Sequence, residues 1–460
     1  MIRILFITFI GISTLVSGLI NRTETSADIR SEASYNYIIP NDTIKTCLDC
    51  HAGVLEHEEV HAPAKKDCGN CHQSNGKEHP LDNVQGFALA DKVPDLCYKC
   101  HDPKNEEDHV HPPVAEGKCL ICHSPHGSPN LYVLTASPTS KLCYDCHDLE
   151  IPVNNVVHQP VTDGNCEGCH NPHQSYNEDY LKFTGASLCK RCHRNIRKDQ
   201  KLEHVHPPFK KDCASCHQHH SSKEAHLTDY KPKDLCISCH EEYVTTMHQL
   251  PLVHGAINEE KSCLNCHTPH ASAEKKIIRA KEKELCMDCH NESITTITGS
   301  ITNIGELLKE GNIIHGAIEK EGCTICHNPH ASNEHTLLVS SFPIEEYAYA
   351  NTDNFALCFK CHDKELFENP VTTTATNFRN GDQNLHFTHI NGNKGRNCNL
   401  CHDVHGSKNE HLIDDKTSFG KWEMPINYTS LENGGTCSTG CHAEKKYIRY
   451  ELPDSLKIGN

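Results

Sequence analysis

Hydrophobic positions along this chain seldom recur at the period of a helix or a strand. The opening, MIRILFITFIGISTLVSGLI, is apolar from Ile4 to Ile20 behind Arg3, and is softened by Thr8, Gly11, Ser13, Thr14, Ser17 and Gly18. That outline is a secretory signal over 1–20, with small residues at Val16-Ser17-Gly18 for cleavage; the alternative is an uncleaved N-terminal anchor. Positions 21–46 are polar and aperiodic, a lead-in. Beyond them no run approaches the roughly 20 apolar residues of a membrane span. One segment, Asn291 to Ile314, places Ile294, Ile297, Ile301, Ile304 and Leu308 at helical spacing and predicts a packing helix. Elsewhere, short blocks broken by His-Pro-Pro, Asn-Pro-His and glycine turns predict short α-helices joined by mostly irregular loops, with little or no β-sheet. Segments 363–388 and 406–436, the latter holding Trp422, read only as spacers.

Composition explains the weak periodicity. At 460 residues the chain is long enough for about three ordinary domains. Yet 36% of it is hydrophobic and 30 of those residues are cysteines. About 30% is then left for an apolar core, below the usual share, so something other than side chains must fill the interior. A net charge of −17 argues against a nucleic-acid partner.

The cysteines supply the missing chemistry. An exported chain with an even cysteine count suggests a disulfide framework, but the spacing overrules it. Cys-x-x-Cys-His occurs at Cys47, Cys50 and His51; Cys68, Cys71 and His72; Cys97, Cys100 and His101; Cys119, Cys122 and His123; Cys143, Cys146 and His147; Cys166, Cys169 and His170; and Cys189, Cys192 and His193. It continues at Cys213, Cys216 and His217; Cys236, Cys239 and His240; Cys263, Cys266 and His267; Cys286, Cys289 and His290; Cys323, Cys326 and His327; Cys358, Cys361 and His362; and Cys398, Cys401 and His402. A copy stretched by one residue, Cys437, Cys441 and His442, uses the last two cysteines. Chance would give well under one copy. Two thiols three residues apart suit the two vinyl groups of one haem, and the next histidine reaches its iron from the same side. Zinc knuckles have no use for a histidine after every pair, and thioredoxin-like sites come singly. The cofactor expected is haem c, fifteen copies, covalently attached.

The motifs come in pairs with a fixed internal order. A free histidine stands seven to nine residues before each second motif: His61, His111, His158, His206, His254, His315 and His389. Another follows the second motif's own histidine by three residues: His126, His173, His220, His270, His330 and His405, with His79 standing in later in the first pair. The chain therefore divides into haem pairs at 47–90, 91–137, 138–183, 184–230, 231–280, 281–340 (with the helical spacer) and 341–412, then a spacer with a single C-terminal haem at 413–460. The 38 histidines exceed the supply needed for two per iron. A histidine three residues after a proximal one lies on that side of its own haem, so it should ligate a neighbour. These fourteen free histidines are the expected distal ligands, and the fifteenth comes from His411, His335 or Met424, with His411 completing the set. Paired histidines without methionine imply low potentials.

From residue 47 to residue 442 the chain resembles the doubled-CXXCH multihaem c-type cytochromes, exported electron-transfer proteins. The resemblance implies covalent haem, two histidines on most irons, and short helices wrapped around closely stacked haems. The departures are the stretched motif at Cys437, the missing histidine of the first pair and the longer spacers near the end.

An iron held by two histidines has no open position, so it exchanges electrons without binding substrate. The principal expectation is an electron carrier, periplasmic or at the cell surface, serving anaerobic respiration. Its partners would be redox proteins, other cytochromes or an outer-membrane conduit, docking through basic patches; membrane contact is expected only through an uncleaved anchor. Two alternatives stand beside it. One is a multihaem reductase of nitrite, hydroxylamine or sulfur oxyanions with one five-coordinate haem, for which the Cys437 motif is the place to look. The other is a polymerising conductive filament. A literal HExxH, His57 to His61, suggests a zinc peptidase, but His61 already fills the repeat's distal slot.

Overall fold

The computed structural model describes residues 46–79, 85–296 and 299–451. The signal expected at 1–20 and nearly all of the lead-in lie outside them. The chain forms two compact units, one built from the chain up to Pro103 with Pro113–Ser137, the other from Lys104–Pro112 with Pro138 onward. Among the described residues no helix is long and apolar enough to cross a membrane.

Each Cys-x-x-Cys-His motif but the last is a single tight turn. In most of them the histidine amide donates to the carbonyl of the first cysteine, as in His101 to Cys97 at 3.0 Å and His147 to Cys143 at 2.8 Å in the two units. One helical turn puts residues i and i+3 or i+4 on the same face. Both thiols and the imidazole therefore leave the backbone together. Some turns extend into true helices, the longest being Pro232–His248 and Glu282–His290.

Short antiparallel ladders tie successive pairs. In the first unit Glu59–Val60 pairs with Gly127–Ser128. In the second, His109–Val110 pairs with Gln174–Ser175, Val156–Val157 with Ser221–Ser222, His204–Val205 with Ala271–Ser272, Leu252–Val253 with Ala331–Ser332, and Ile313–Ile314 with Gly406–Ser407. A buried serine closes each ladder. Ser332 Oγ donates to the Leu338 carbonyl at 2.5 Å and accepts from the Glu334 amide at 2.9 Å. Two residues per ladder is the minimum that fixes register, and the serine prevents fraying by satisfying backbone groups that water does not reach.

Two expectations fail. The helix over Asn291–Ile314 is instead a hairpin, Ile294–Thr296 against Gly299–Ile301, followed by one turn at Ile304–Leu307 capped by the Asn303 side chain. Ile294-Thr295-Thr296 is β-branched throughout and Gly299 sits at φ 152, so local preference favours strand over the apparent helical period. The spacer before Cys437 is a four-stranded antiparallel sheet: Lys416–Phe419, Trp422–Leu431, Gly434–Thr439 and His442–Ile448. Its third and fourth strands carry the last motif. A hairpin, unlike a helical turn, needs an additional residue to present both thiols, which accounts for the stretched spacing.

Hydrophobic burial is sparse. Leu338, Phe342, Ala348 and Phe355 form a cluster in the second unit. Asn384 and Asn397, both nearly inaccessible, hold the adjoining loops through their side-chain amides.

Candidate functional site

The motif histidines face free histidines across a constant gap. In the first unit His51 faces His79, His72 faces His126 and His101 faces His61, with ring centres 5.9–6.0 Å apart. In the second, His147 faces His111, His170 faces His220, His193 faces His158 and His217 faces His270, at 5.9–6.2 Å. His240 faces His206, His267 faces His330 and His290 faces His254, at 6.0–6.3 Å. His327 faces His405, His362 faces His315, His402 faces His386 and His442 faces His389, at 6.0–6.5 Å. His123 belongs to the first unit and His173 to the second, so the role of His173 stays as the sequence alone suggests it.

This separation fits an iron. An imidazole nitrogen bonds a metal at about 2 Å and lies about 1.1 Å from its ring centre, so two rings on opposite sides of one metal have centres about 6 Å apart. The donor set fits as well, since every motif turn offers two thiols beside the ring.

The tautomers are fixed by backbone carbonyls. In six of the seven second motifs the proximal Nδ1 lies against the carbonyl nine residues on: His123 to Tyr132 at 3.0 Å, His170 to Asp179 at 2.8 Å, His217 to His226 at 2.9 Å, His267 to Lys276 at 3.0 Å, His327 to Thr336 at 2.9 Å and His402 to His411 at 2.8 Å. A carbonyl only accepts, so Nδ1 carries the hydrogen and Nε2 is left with its lone pair. Every one of these acceptor residues is left-handed, with φ between 48° and 60°, which turns the carbonyl toward the ring. Several free histidines are held the same way by the residue before the second free histidine of the next pair: His61 by Pro125 at 2.8 Å, His158 by His219 at 3.0 Å and His206 by Pro269 at 3.0 Å.

The rings are also kept neutral. Burial is the leading cause that lowers the pKa of His111, His126, His220, His254, His270, His290, His315, His327, His330 and His402, helped by neighbouring imidazoles.

The ends of the array depart from the sequence expectation. Within each unit, a free histidine before a second motif faces the first motif of the next pair, and one after a second motif faces the second motif of the preceding pair. The first and last positions have no such neighbour, and local residues fill them. His79 does so for His51, and His386 does so for His402. His411 was expected to supply the fifteenth ligand, for the haem at Cys437, but its carbonyl holds His402 Nδ1, which puts it on the proximal side of that ring. His389 faces His442 instead. His386 and His389 lie on the helix Leu385–Ile390, whose N-terminus Asn384 caps by accepting from the Phe387 amide. Burial, with His402, His389 and His411 nearby, pushes His386 down to about 4. The other two candidates are otherwise engaged. Met424 packs its sulfur 3.6 Å from Cys441 Sγ, and His335 Nε2 lies 2.6 Å from the Phe342 carbonyl.

The cysteines order the motifs in space. Leading thiols lie close together in Cys47 with Cys68 and Cys97 with Cys119 in the first unit, where burial first and then the neighbouring thiol push Cys68 and Cys97 up. In the second unit the same proximity holds for Cys189 with Cys213, Cys236 with Cys263, Cys286 with Cys323 and Cys358 with Cys398. Trailing thiols lie close to the next pair, as Cys266 to Cys289 and Cys401 to Cys437 and Cys441. Motifs adjacent in sequence are therefore adjacent in space within each unit.

Closely spaced Cys-x-x-Cys-His turns with a second histidine supplied from elsewhere define a multihaem c-type cytochrome. The doubled CXXCH motif family matches residues 61–106, 111–150, 158–198, 206–245, 254–295 and 315–366, more than half of the chain, which belongs to that family. Each match begins on a free histidine and ends just past the motif histidine it faces, His61 with His101 through to His315 with His362.

Proposed function

We propose that this electron-transfer cytochrome carries fifteen c-type haems, one at each motif, with two histidines on their irons, and relays electrons outside the cytoplasm. Each bound haem would supply a one-electron ferric–ferrous couple. The paired cysteines hold the group through two thioethers and the motif histidine binds one face of the iron. On fourteen of the irons the second ligand is His79, His126, His61, His111, His220, His158, His270, His206, His330, His254, His405, His315, His386 or His389, and for the haem at His123 the repeat offers His173. The backbone carbonyls on Nδ1 orient the rings and strengthen them as donors, which favours ferric iron and low potential.

The observation that carries this reading is the repeated 5.9–6.5 Å opposition of a motif ring and a free ring. It leaves those irons no open position for substrate. At the Cys437 motif, where a five-coordinate reductase centre would be sought, His389 stands across from His442. Local histidines at both ends favour a discrete relay over copies that share ligands. The net charge of −17 suits partners with basic docking surfaces.

The test is low-temperature EPR of the purified ferric protein, with haem counted by pyridine haemochrome. The expected result is fifteen haems per chain, all low-spin. One high-spin haem per chain would overturn full bis-histidine ligation and favour the enzyme reading.

A further inference from the structure

Three of the free rings that face second-motif histidines carry a side-chain partner on Nδ1, and the three partners differ. His330 has the Tyr243 hydroxyl at 2.8 Å and His386 the Thr376 hydroxyl at 3.0 Å. His405 has the Asp403 carboxylate at 3.7 Å. Tyrosine and threonine are neutral acceptors. Aspartate brings a full negative charge, and it is a sheltered one, its side chain only 20% exposed and that of His405 30%.

Asp403 does not reach this place by chance of rotamer. Its Oδ1 accepts from the His405 amide at 2.9 Å, and the Gly406 amide lies 3.5 Å away, so backbone hydrogen bonds hold the carboxylate beside the ring. The same position, two residues before the free histidine, is Asn171 and Asn328 in two other pairs. There Asn171 Oδ1 accepts from His173 at 3.2 Å, and Asn328 Oδ1 accepts from His330 at 3.1 Å. The architecture therefore accepts asparagine or aspartate with the same backbone bond. What changes is the charge.

At 3.7 Å the carboxylate is beyond hydrogen-bond distance, so it acts through its charge, which polarises the Nδ1–H bond and makes the ring a stronger donor. It also adds negative charge near the iron. Both effects stabilise the ferric state. We infer that Asp403 is a tuning residue that lowers the reduction potential of the haem held between His327 and His405, relative to the haem between His267 and His330, where the same position is the neutral Asn328. This rests on the two-histidine reading above. Asp403 directly follows His402, so the haem at Cys398 should feel the charge more weakly.

An opposite charge within about 4–6 Å commonly shifts an ionisation by a unit or more. The corresponding expectation here is about a tenfold change in one reduction equilibrium, about 59 mV for one electron.

The experiment is a spectroelectrochemical titration of the full haem-loaded chain, comparing native protein with Asp403→Asn and with Asn328→Asp. Removing the charge should raise one component about tenfold and leave most others in place; introducing it beside His330 should lower a different component by a similar factor. Haem count and ferric EPR are recorded on the same samples. If all haems stay low-spin and neither variant moves any component, the tuning role is overturned while the ligation stands. If the native ferric protein lacks the low-spin signature, the ligation reading itself has failed. Should Asp403→Asn lose haem, Asn328→Asp alone decides, and an unshifted or raised component there overturns the proposal.

Discussion

An imidazole binds iron through Nε2 only while that nitrogen carries no proton, and this chain secures the condition one residue at a time. Carbonyls hold Nδ1–H, and burial keeps the rings neutral. His386 shows the second device and a variant of the first, with the Thr376 hydroxyl in place of a carbonyl on Nδ1 and a pKa pushed down to about 4 by burial. Replacing it should leave His402 without its facing ring. His386→Ala is therefore expected to yield one high-spin ferric haem per chain by EPR, whereas His411→Ala, which keeps the carbonyl on His402 Nδ1, should leave the spin states unchanged. The opposite pattern would return the ligand role to His411. The contrast also shows what sequence can carry. His111 or His270 sits at an offset that recurs along the chain, so pattern alone finds it. His386 occurs once, in a spacer, and takes its place only because Asn384 caps a helix there. The available hints were its spacing of three from His389 and the asparagine two residues ahead.

Elements this small are held together by hydrogen bonds rather than by hydrophobic faces. The ladder Leu252–Val253 with Ala331–Ser332 continues into the His254 amide, which donates to the His330 carbonyl at 2.8 Å. Two free histidines that face different motifs are thus fixed to one another by backbone. Ser332 is the buried post at the end of this ladder. Ser332→Ala removes one donor and one acceptor in a site closed to water, a cost of about 1–2 kcal/mol. Hydrogen exchange should then be roughly tenfold faster at the amides between Asn333 and Leu338, with little change in distant ladders; unchanged exchange there would mean the serine is not holding the turn. None of these ladders was legible beforehand, because two-residue strands have no periodicity to read. The motif turns were legible because cysteine and histidine mark them directly. The sheet around Cys437 did carry a signal: Trp422, Met424, Ile426 and Tyr428 alternate with Glu423, Pro425, Asn427 and Thr429, and Ile426 is buried at the centre of that alternation.

At the scale of the whole molecule the question is what fills the interior. Thirteen hydrophobic residues are buried among the described residues, and four of them are alanines. A chain of 460 residues normally needs far more buried apolar surface to offset an ordering cost of about 1–2 kcal/mol per residue. Nor do ion pairs make up the deficit. Pairs such as Lys309 with Glu306 and Arg279 with Asp288 are exposed, and exposed pairs contribute little. The cofactor must therefore be structural as well as functional, its rings supplying apolar surface and its thioethers and iron bonds supplying crosslinks. Folding and haem attachment should be one event. The same chain produced where haem is not attached, and kept reduced so that its thiols do not pair, should show circular dichroism without a cooperative thermal transition, collapsed amide dispersion by NMR and rapid cleavage by protease throughout residues 46–451. A cooperative transition in the haem-free chain would mean that the ladders, capped turns and small aromatic cluster suffice on their own, and that the haems enter a fold already made.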